Sequence, residues 1–472
     1  MKLSDLVIFN PKRPLKKGES AAFVEMAALP ENGRDINRVD EKIFTGGGSK
    51  FANKDTLFAR ITPCLENGKT SLVSGLSDGE VAFGSTEFIV LAAKEPEYDS
   101  DYIYYLSRLG EFRSFARSRM EGTSGRQRVA WQSLADYEYD FPDKRLRKFA
   151  GDVLKKFDDK ILLNHQINHT LEQMAQALFK SWFVDFEPVK AKITALEAGG
   201  SQEDAMLAAM TAISGKDADA LAVFEREHPE QYAELKATAE LFPSAMQESE
   251  GRDIPKGWAV VKTEELTSKI GMGPFGSNIK VSTFVDEGIP IISGQHLKES
   301  ILNDGENNFI TLEHADKLKS SNVFSEDIIF THAGSIGQVS IIPEFSEYER
   351  YVISQRQFFL RADKKLISPY YLLYFFRSRT GQHLLLSNAS QVGVPSIARP
   401  SSHLKNIELV APDFKLVKKF EDHCKTIING VVQRKKQTVL LKNIRDTLLP
   451  KLLSGEITLP EAEQAVSEAE NV

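Results

Sequence analysis

The sequence predicts an α+β protein with an internal pseudo-two-fold repeat, in which two domains of mixed sheet with helices are joined by two long coiled-coil helices. Three observations predict it. The 472-residue chain repeats at an offset of 270, so that Tyr104, Leu134, Pro142, Leu171, Leu178 and Phe183 fall on Tyr374, Leu404, Pro412, Leu441, Leu448 and Leu453. Each copy opens with short apolar runs punctuated by glycine and ends them at a proline, Pro142 or Pro412. Beyond each proline the apolar period changes from about 2 to about 3.5, the change from strand to coiled-coil patterning.

In the first copy, strands are expected at Thr56 to Ile61, Thr70 to Val73 and Glu87 to Ala92, between Gly and Pro turns. Tyr102, Tyr105, Leu106, Leu109 and Phe112 then recur at helical spacing. The second copy begins at Ile254, has strand-like runs at Ile289 to Ser293, Asp327 to His332 and Gln357 to Ala362, and repeats the helix at Ser368 to Ser378. Val153, Phe157, Ile161, Ile167, Leu171, Met174, Leu178 and Trp182 mark the seam of the first long helix. Cys424, Ile427, Val431, Thr438, Leu441, Ile444, Leu448 and Leu452 mark the second. Stripes this narrow fit two helices that pair with each other as a spacer about 50 Å long, rather than helices each packed on its own domain. The boundaries that follow are 1–145, 146–187 (first long helix), 188–252 (acidic helical connector), 253–413, 414–455 (second long helix) and 456–472 (acidic tail).

A chain of this length can bury more than one core. Its two cysteines, Cys64 and Cys424, lie far apart with no CxxC partner, which argues for a reducing compartment. No apolar run is long enough to span a membrane and the N-terminus lacks a signal-peptide core, so the expectation is a cytoplasmic protein with no membrane partner. The net charge of −7 would count against nucleic acid, but it is unevenly placed. Residues 184–250 carry −9 and the tail from Ser454 carries −5, leaving +7 on the rest. The connector, with Gly199-Gly200 and an alanine-rich run from Ala205 to Ala212, reads as short helices of variable order.

Several fragments imitate catalytic motifs. Gly271-x-Gly273-x-x-Gly276 has Pro274 and strand-like residues after it where a dinucleotide fingerprint opens a helix. Gly68-Lys69-Thr70 resembles the end of a P-loop, yet Pro63 stands at the first glycine. Pro142-Asp143 with Asp158-Asp159-Lys160 suggests a nuclease, but the triplet lies in the long helix and its repeat is Ile428-Asn429-Gly430. His165 and His169 are one helical turn apart without a further ligand nearby. No nucleophile elbow and no Asn-Pro-Pro-aromatic or Asp-Pro-Pro-aromatic tetrapeptide is present. The chain reads as non-catalytic, with no metal and no cofactor of its own.

Binding remains. Arg108 to Arg128 holds six arginines against two glutamates, interleaved with Gly, Ser and Thr. Guanidinium groups neutralise phosphates or fork onto guanine, and a glycine-rich loop lets the backbone approach DNA. The matching loop, Ser387 to Arg399, is less basic and rich in Ser, Asn and Gln. Candidate DNA contacts are Arg60, Lys69, Arg117, Arg119, Thr123, Ser124, Arg126, Gln127 and Arg128 in the first domain. In the second they are Ser277, Asn278, Lys280, His332, Gln338, Gln391, Ser396 and Arg399.

These features, with the segments ALFKSWFVDFEP (Ala177 to Pro188), LLPKLLSGEI (Leu448 to Ile457), IPKGWAVVKTEEL and GMGPFGSNIK, make the chain similar to the specificity subunit of a type I restriction-modification system over nearly its whole length. The resemblance implies two target-recognition domains that read the halves of an interrupted double-stranded DNA site, with the two long helices antiparallel and setting the gap. It implies two adenine methyltransferase subunits docked on those helices, together with restriction/translocase subunits. S-adenosylmethionine, ATP and Mg are expected on the partners, none on this subunit. The connector is longer than that architecture requires. Two other classes stay open, a coiled-coil scaffold without DNA recognition and a self-contained DNA methyltransferase or nuclease.

Overall fold

The computed structural model describes residues 1–457 except Ser124, Ser277 and Gln391. Short runs rich in β-branched and aromatic residues form the strands of the first domain. They are β1 (Val7–Phe9), β2 (Ser20–Val24), β3 (Asp40–Ile43), β4 (Ser49–Phe51), β5 (Thr56–Ala59), β6 (Thr70–Leu72), β7 (Ala82–Gly84) and β8 (Phe88–Ala93). Helices α1 (Pro96–Arg108) and α2 (Gly110–Ser118), the hairpin β9 (Met120–Glu121) and β10 (Arg128–Val129), and α3 (Trp131–Ala135) follow. The long helix α4 (Lys144–Phe183) ends this copy. The strands make two sheets, ordered β1-β8-β5-β6 and β3-β2-β7-β4. Within the second of these β2 and β7 run parallel. Pro96 at the first turn of α1 supplies a preset helical φ, and the helix buries Tyr102, Tyr104, Tyr105 and Leu106 in the core that also holds Phe58 and Ile89.

The connector contains α5 (Glu187–Glu197), α6 (Gln202–Ser214), α7 (Ala218–Glu227) and α8 (Pro229–Glu240). The expectation of variable order is corrected here, because α6, α7 and α8 share an apolar cluster of Ala209, Met210, Leu221 and Ala239. Their ends are defined locally. Ser201 and Asp204 form a capping box at α6, Gly215 closes it in the left-handed conformation, and Asp217 caps α7. Lys192 is buried and donates to the Phe242 carbonyl at 2.7 Å.

A hairpin of β11 (Met246–Ser249) and β12 (Arg252–Pro255) leads into the second domain. Its strands are β13 (Ala259–Lys262), β14 (Thr267–Met272), β15 (Ile289–Ile292), β16 (Asn308–Ile310), β17 (Asn322–Val323), β18 (Ile328–Thr331), β19 (Val339–Ile341), β20 (Tyr351–Ile353) and β21 (Gln357–Ala362), with α9 (Leu312–Lys317) before β17. Then come α10 (Pro369–Arg377), α11 (Arg379–Leu386), β22 (Ala389–Ser390), β23 (Ser396–Ile397), α12 (Pro400–Lys405), β24 (Glu408–Ala411) and the long helix α13 (Phe414–Ser454). The sheets are β14-β21-β18-β19 and β16-β15-β20-β17, strand for strand the orders of the first domain, and β15 and β20 are again the parallel pair. The duplication read from the sequence is therefore one of topology. One difference is that β13 pairs with β24, where the first domain has the isolated bridge Lys2–Glu138.

Gly271 and Gly273 serve close packing. A Cβ on Gly273 would meet the Ser354 carbonyl at 2.0 Å, and one on Gly271 would meet the Phe359 ring at 2.4 Å.

The chain forms two compact units, Met1–Ile167 with the chain from Gln433, and Asn168–Val432, so both long helices belong partly to each. In the first unit they run antiparallel. Asp158 meets Arg445 at 2.5 Å, the Asn164 amide donates to Gln437 at 2.9 Å and to Thr438 at 3.3 Å, and Phe157 and Ile161 share a core with Leu441, Leu448 and Leu452. The helices also pack on the domain itself, as Tyr102 donates to the Leu453 carbonyl at 2.8 Å. In the second unit Phe179, Trp182 and Phe183 gather round Phe420, and Leu171, Leu178, Ile427 and Val431 lie along the same core. The ALFKSWFVDFEP segment is thus an aromatic packing unit. Met174 is a correction: it is 55% exposed, and Ala175 occupies the buried position.

His296 is buried, and its Nδ1 accepts the Ser293 backbone N–H at 3.0 Å. Burial pushes its pKa below the ordinary 6.5, with the Gly305 backbone and Glu306 opposing in part. Because the unfolded imidazole takes up its proton first, the second domain is expected to lose stability as pH falls below 6.5, and to keep this contribution above it. Urea unfolding at pH 7.5 and pH 5.5 of the parent and of His296→Gln checks it. An identical pH dependence in both would contradict it.

Candidate nucleic-acid interface

Antiparallel register decides which loops lie together. In the first domain Ala59 lies opposite Phe88, Phe58 opposite Thr70, and Phe9 opposite Leu91. The end of β1, the end of β5 and the starts of β6 and β8 are therefore at one end of the sheet. The connections 10–19, 60–69 and 85–87 leave there. The β9–β10 hairpin docks on the same end: the Val129 N–H donates to Arg60 O at 3.0 Å, Thr62 N–H to Gln127 O at 3.1 Å, and Gln127 N–H to Thr62 Oγ1 at 3.1 Å.

Arg113 supports this corner from α2. Its guanidinium lies over the Phe58 ring at 5.8 Å, donates to Thr70 Oγ1 at 3.3 Å and to the Leu65 carbonyl, and so holds the 60–69 loop. Burial, with Arg108 and Arg117 nearby, pushes its pKa down to about 10.

The second domain repeats the arrangement. Met272 is opposite Phe358, Thr331 opposite Gln357 and Phe330 opposite Val339, so connections 273–288, 332–338 and 354–356 share an end. The β22–β23 hairpin docks through Ile397 N–H to His332 O at 2.8 Å and Gly334 N–H to Pro395 O at 2.9 Å.

Most of the sequence-selected residues sit on these two corners. Arg60, Lys69, Thr123, Arg126, Gln127 and Arg128 lie on the 60–69 loop and the first hairpin, and Arg117 and Arg119 are exposed where α2 runs into it. Thr123 and Arg126 are exposed at the tip. Arg128 pairs with Glu87 at 2.6 Å, and Lys69 donates to the Met26 carbonyl at 3.2 Å, so both engage the fold itself. In the second domain Asn278 and Lys280 are exposed, while Ser396 lies in β23 and Arg399, with φ 44°, precedes α12. His332 meets the Gln355 carbonyl at 3.1 Å and burial lowers its pKa, which favours the neutral ring. The Gln338 amide is spent on Thr331 at 2.9 Å and the Gly294 carbonyl at 3.0 Å. Ser124, Ser277 and Gln391 lie outside the described residues.

Sequence reasoning missed three features. Gln355 and Arg356 are exposed on the 354–356 connection, Arg356 opposite in charge to Glu87 on the matching connection of the first domain. The 10–19 loop carries Lys12, Arg13, Lys16 and Lys17, a charge run visible in the sequence without an address until the strand order is known. The second hairpin tip was credited to Ser, Asn and Gln, yet Val392 is 91% and Val394 61% exposed, side chains suited to a thymine methyl. Among the described residues no cluster of three or more His, Cys, Asp or Glu side chains is placed to hold a metal, and no helix is long and apolar enough to cross a membrane.

No family model matches the chain. It is 30% identical over 424 residues to the type I restriction enzyme HindI specificity subunit of Haemophilus influenzae, covering 88% of this chain and 89% of that one. It is 22% identical over 373 residues to the MjaIX specificity subunit of Methanocaldococcus jannaschii, covering 77% and 70%. The solved S subunit of a type I restriction-modification system from M. genitalium aligns over 96% of this chain and 95% of its own at 16% identity, with a TM-score of 0.46. The assignment rests on the first of these matches: the chain belongs to the specificity subunits of type I restriction enzymes, the non-catalytic members of those complexes.

Proposed function

We propose that this subunit binds double-stranded DNA through the loop end of each domain, one half-site to each, and that two adenine methyltransferase subunits and restriction/translocase subunits assemble on it in the cytoplasm. S-adenosylmethionine, ATP and Mg then act on those partners. The observation that supports the reading most is the repetition of one loop corner in two domains whose four-stranded sheets share one strand order, with different side chains at the tips, Arg126 in one and Val392 and Val394 in the other. Two copies of one scaffold with different reading groups suit an asymmetric, interrupted site. Arg and Lys on phosphates position each domain, and polar or methyl contacts to base edges discriminate by about 1–3 kcal/mol per well-read pair. Because both domains act on one duplex, each raises the other's effective concentration.

The gap between half-sites is set by the long helices in this reading. Inserting one heptad into each, at matched positions, adds about 10 Å and is expected to lengthen the preferred gap by about 3 base pairs. Methylation measured on a series of gap variants tests it. An unchanged gap preference would exclude the helices as the ruler.

A further inference from the structure

The first domain carries four cations in six residues, Lys12, Arg13, Lys16 and Lys17, on the loop between β1 and β2. The loop is anchored at three places. The Asn10 backbone N–H donates to Val90 O at 2.8 Å, and its side-chain oxygen accepts the Val90 N–H at 2.9 Å. Arg13 Nη2 donates to both oxygens of the buried Asp55 carboxylate at 2.5 and 2.7 Å, and the Arg13 carbonyl accepts Lys50 Nζ at 3.2 Å. At the far side the Gly18 N–H donates to Phe44 O at 2.8 Å.

Phe44 leads into Gly46-Gly47-Gly48, all three in the left-handed region at φ +101°, +84° and +78°. Gly46 makes room for Lys17, whose Cε a Cβ there would meet at 2.6 Å, and Gly48 lies close to the Gly84 carbonyl. A concave wall results, lined by Lys12, Arg13, Gly48, Ser49 and Lys50. Lys12, Lys16 and Lys17 are exposed; Asp55 is taken up by Arg13, and Glu19 lies 3.8 Å from Lys16.

Its place in the fold is the sheet end that holds the first hairpin. Ser49 Oγ donates to the Phe88 carbonyl at 2.7 Å, next to Glu87, which pairs with Arg128. The second domain has no equivalent: its corresponding connection, 273–288, offers Lys280 against Asp286 and Glu287.

We propose that the 10–17 loop and the 46–50 glycine turn form a phosphodiester-binding surface, which grips the DNA backbone beside the first half-site without reading bases. It rests on the DNA-binding reading of that sheet end. Cations held on an anchored loop neutralise phosphates and release counterions, a contribution blind to sequence.

The test is Lys12→Gln, Lys16→Gln and Lys17→Gln together, in the full subunit assembled with its methyltransferase. Binding to a cognate and an unrelated duplex is measured across a salt series, and the methylated motif is mapped. These side chains are exposed, and a thermal melt confirms the fold. The expected result is weaker binding by about tenfold or more on both duplexes, a fall of about 2–3 in the slope of log affinity against log salt, and an unchanged motif. An unchanged slope while the parent binds its site specifically would overturn the phosphate surface and leave DNA recognition standing. A changed motif would overturn the backbone assignment. A parent complex with no salt-sensitive binding would sink both.

Discussion

Asp158→Ala is expected to destabilise the first unit by about 3–5 kcal/mol, the range for removing one partner of a buried ion pair. Asp158, on α4, accepts the Arg445 guanidinium of α13 at 2.5 Å and the Tyr105 hydroxyl of α1 at 2.6 Å. One carboxylate therefore ties both long helices to the first domain. Burial disfavours the Arg445 charge, and Asp158 and Asp446 more than restore it, so its pKa is raised. Without Asp158 the guanidinium is left with the exposed Asp446 among the described ion pairs. Urea unfolding measures the loss, and a change below about 1 kcal/mol would contradict the assignment. Asp158→Leu combined with Arg445→Met and Tyr105→Phe is expected to recover most of the stability, because it removes the desolvation cost along with the attraction.

Exchanging the first hairpin tip, residues 122–127, for residues 391–395 of the second is expected to reduce methylation of the original site by about a hundredfold or more and to alter one half of the motif. The arithmetic is that of lost base contacts. Arg126 can fork onto a guanine at about 1–3 kcal/mol of discrimination, and a tip that also loses Thr123 and Gln127 forfeits more than one pair. Val392 and Val394 supply methyl contacts instead, so the half-site should shift toward thymine at those positions. Methylation mapping of the exchanged protein reads the outcome directly. A motif altered in both halves would show that the tips do not read separately.

The repeat, the strand runs and the long helices were legible because each rests on a local period. Gln357 to Ala362 was expected as a strand and is β21 residue for residue. The seam was read less well for a physical reason. Asn164 takes a buried interhelical position because Gln437 and Thr438 satisfy its amide, so an apolar count passes over it and follows the exposed Met174. The connector was misjudged through its charge. Its exposed acids hide an alanine and methionine core in which the capping residues Ser201 and Asp217 were the better signal.

The site was half legible. Arginine and glycine content located the hairpins, since such loops keep their chemistry whatever they pack on. The basic loop at Lys12 to Lys17 was passed over because its relevance depends on β1 ending beside the start of β8, a long-range pairing that no local pattern shows. Lys69 and Gln338 stand out in the sequence as polar residues in Gly-flanked segments, and the fold uses that polarity internally.

The measurement that bears most directly on the central claim is a map of methylated adenines in a methylation-free host expressing this chain with its methyltransferase. The account predicts one interrupted motif, with one half alone changing when one domain is swapped. Absence of any motif although the methyltransferase is soluble and co-purifies, or a motif without a gap, would contradict two-domain recognition and bring a scaffold without DNA recognition to the front.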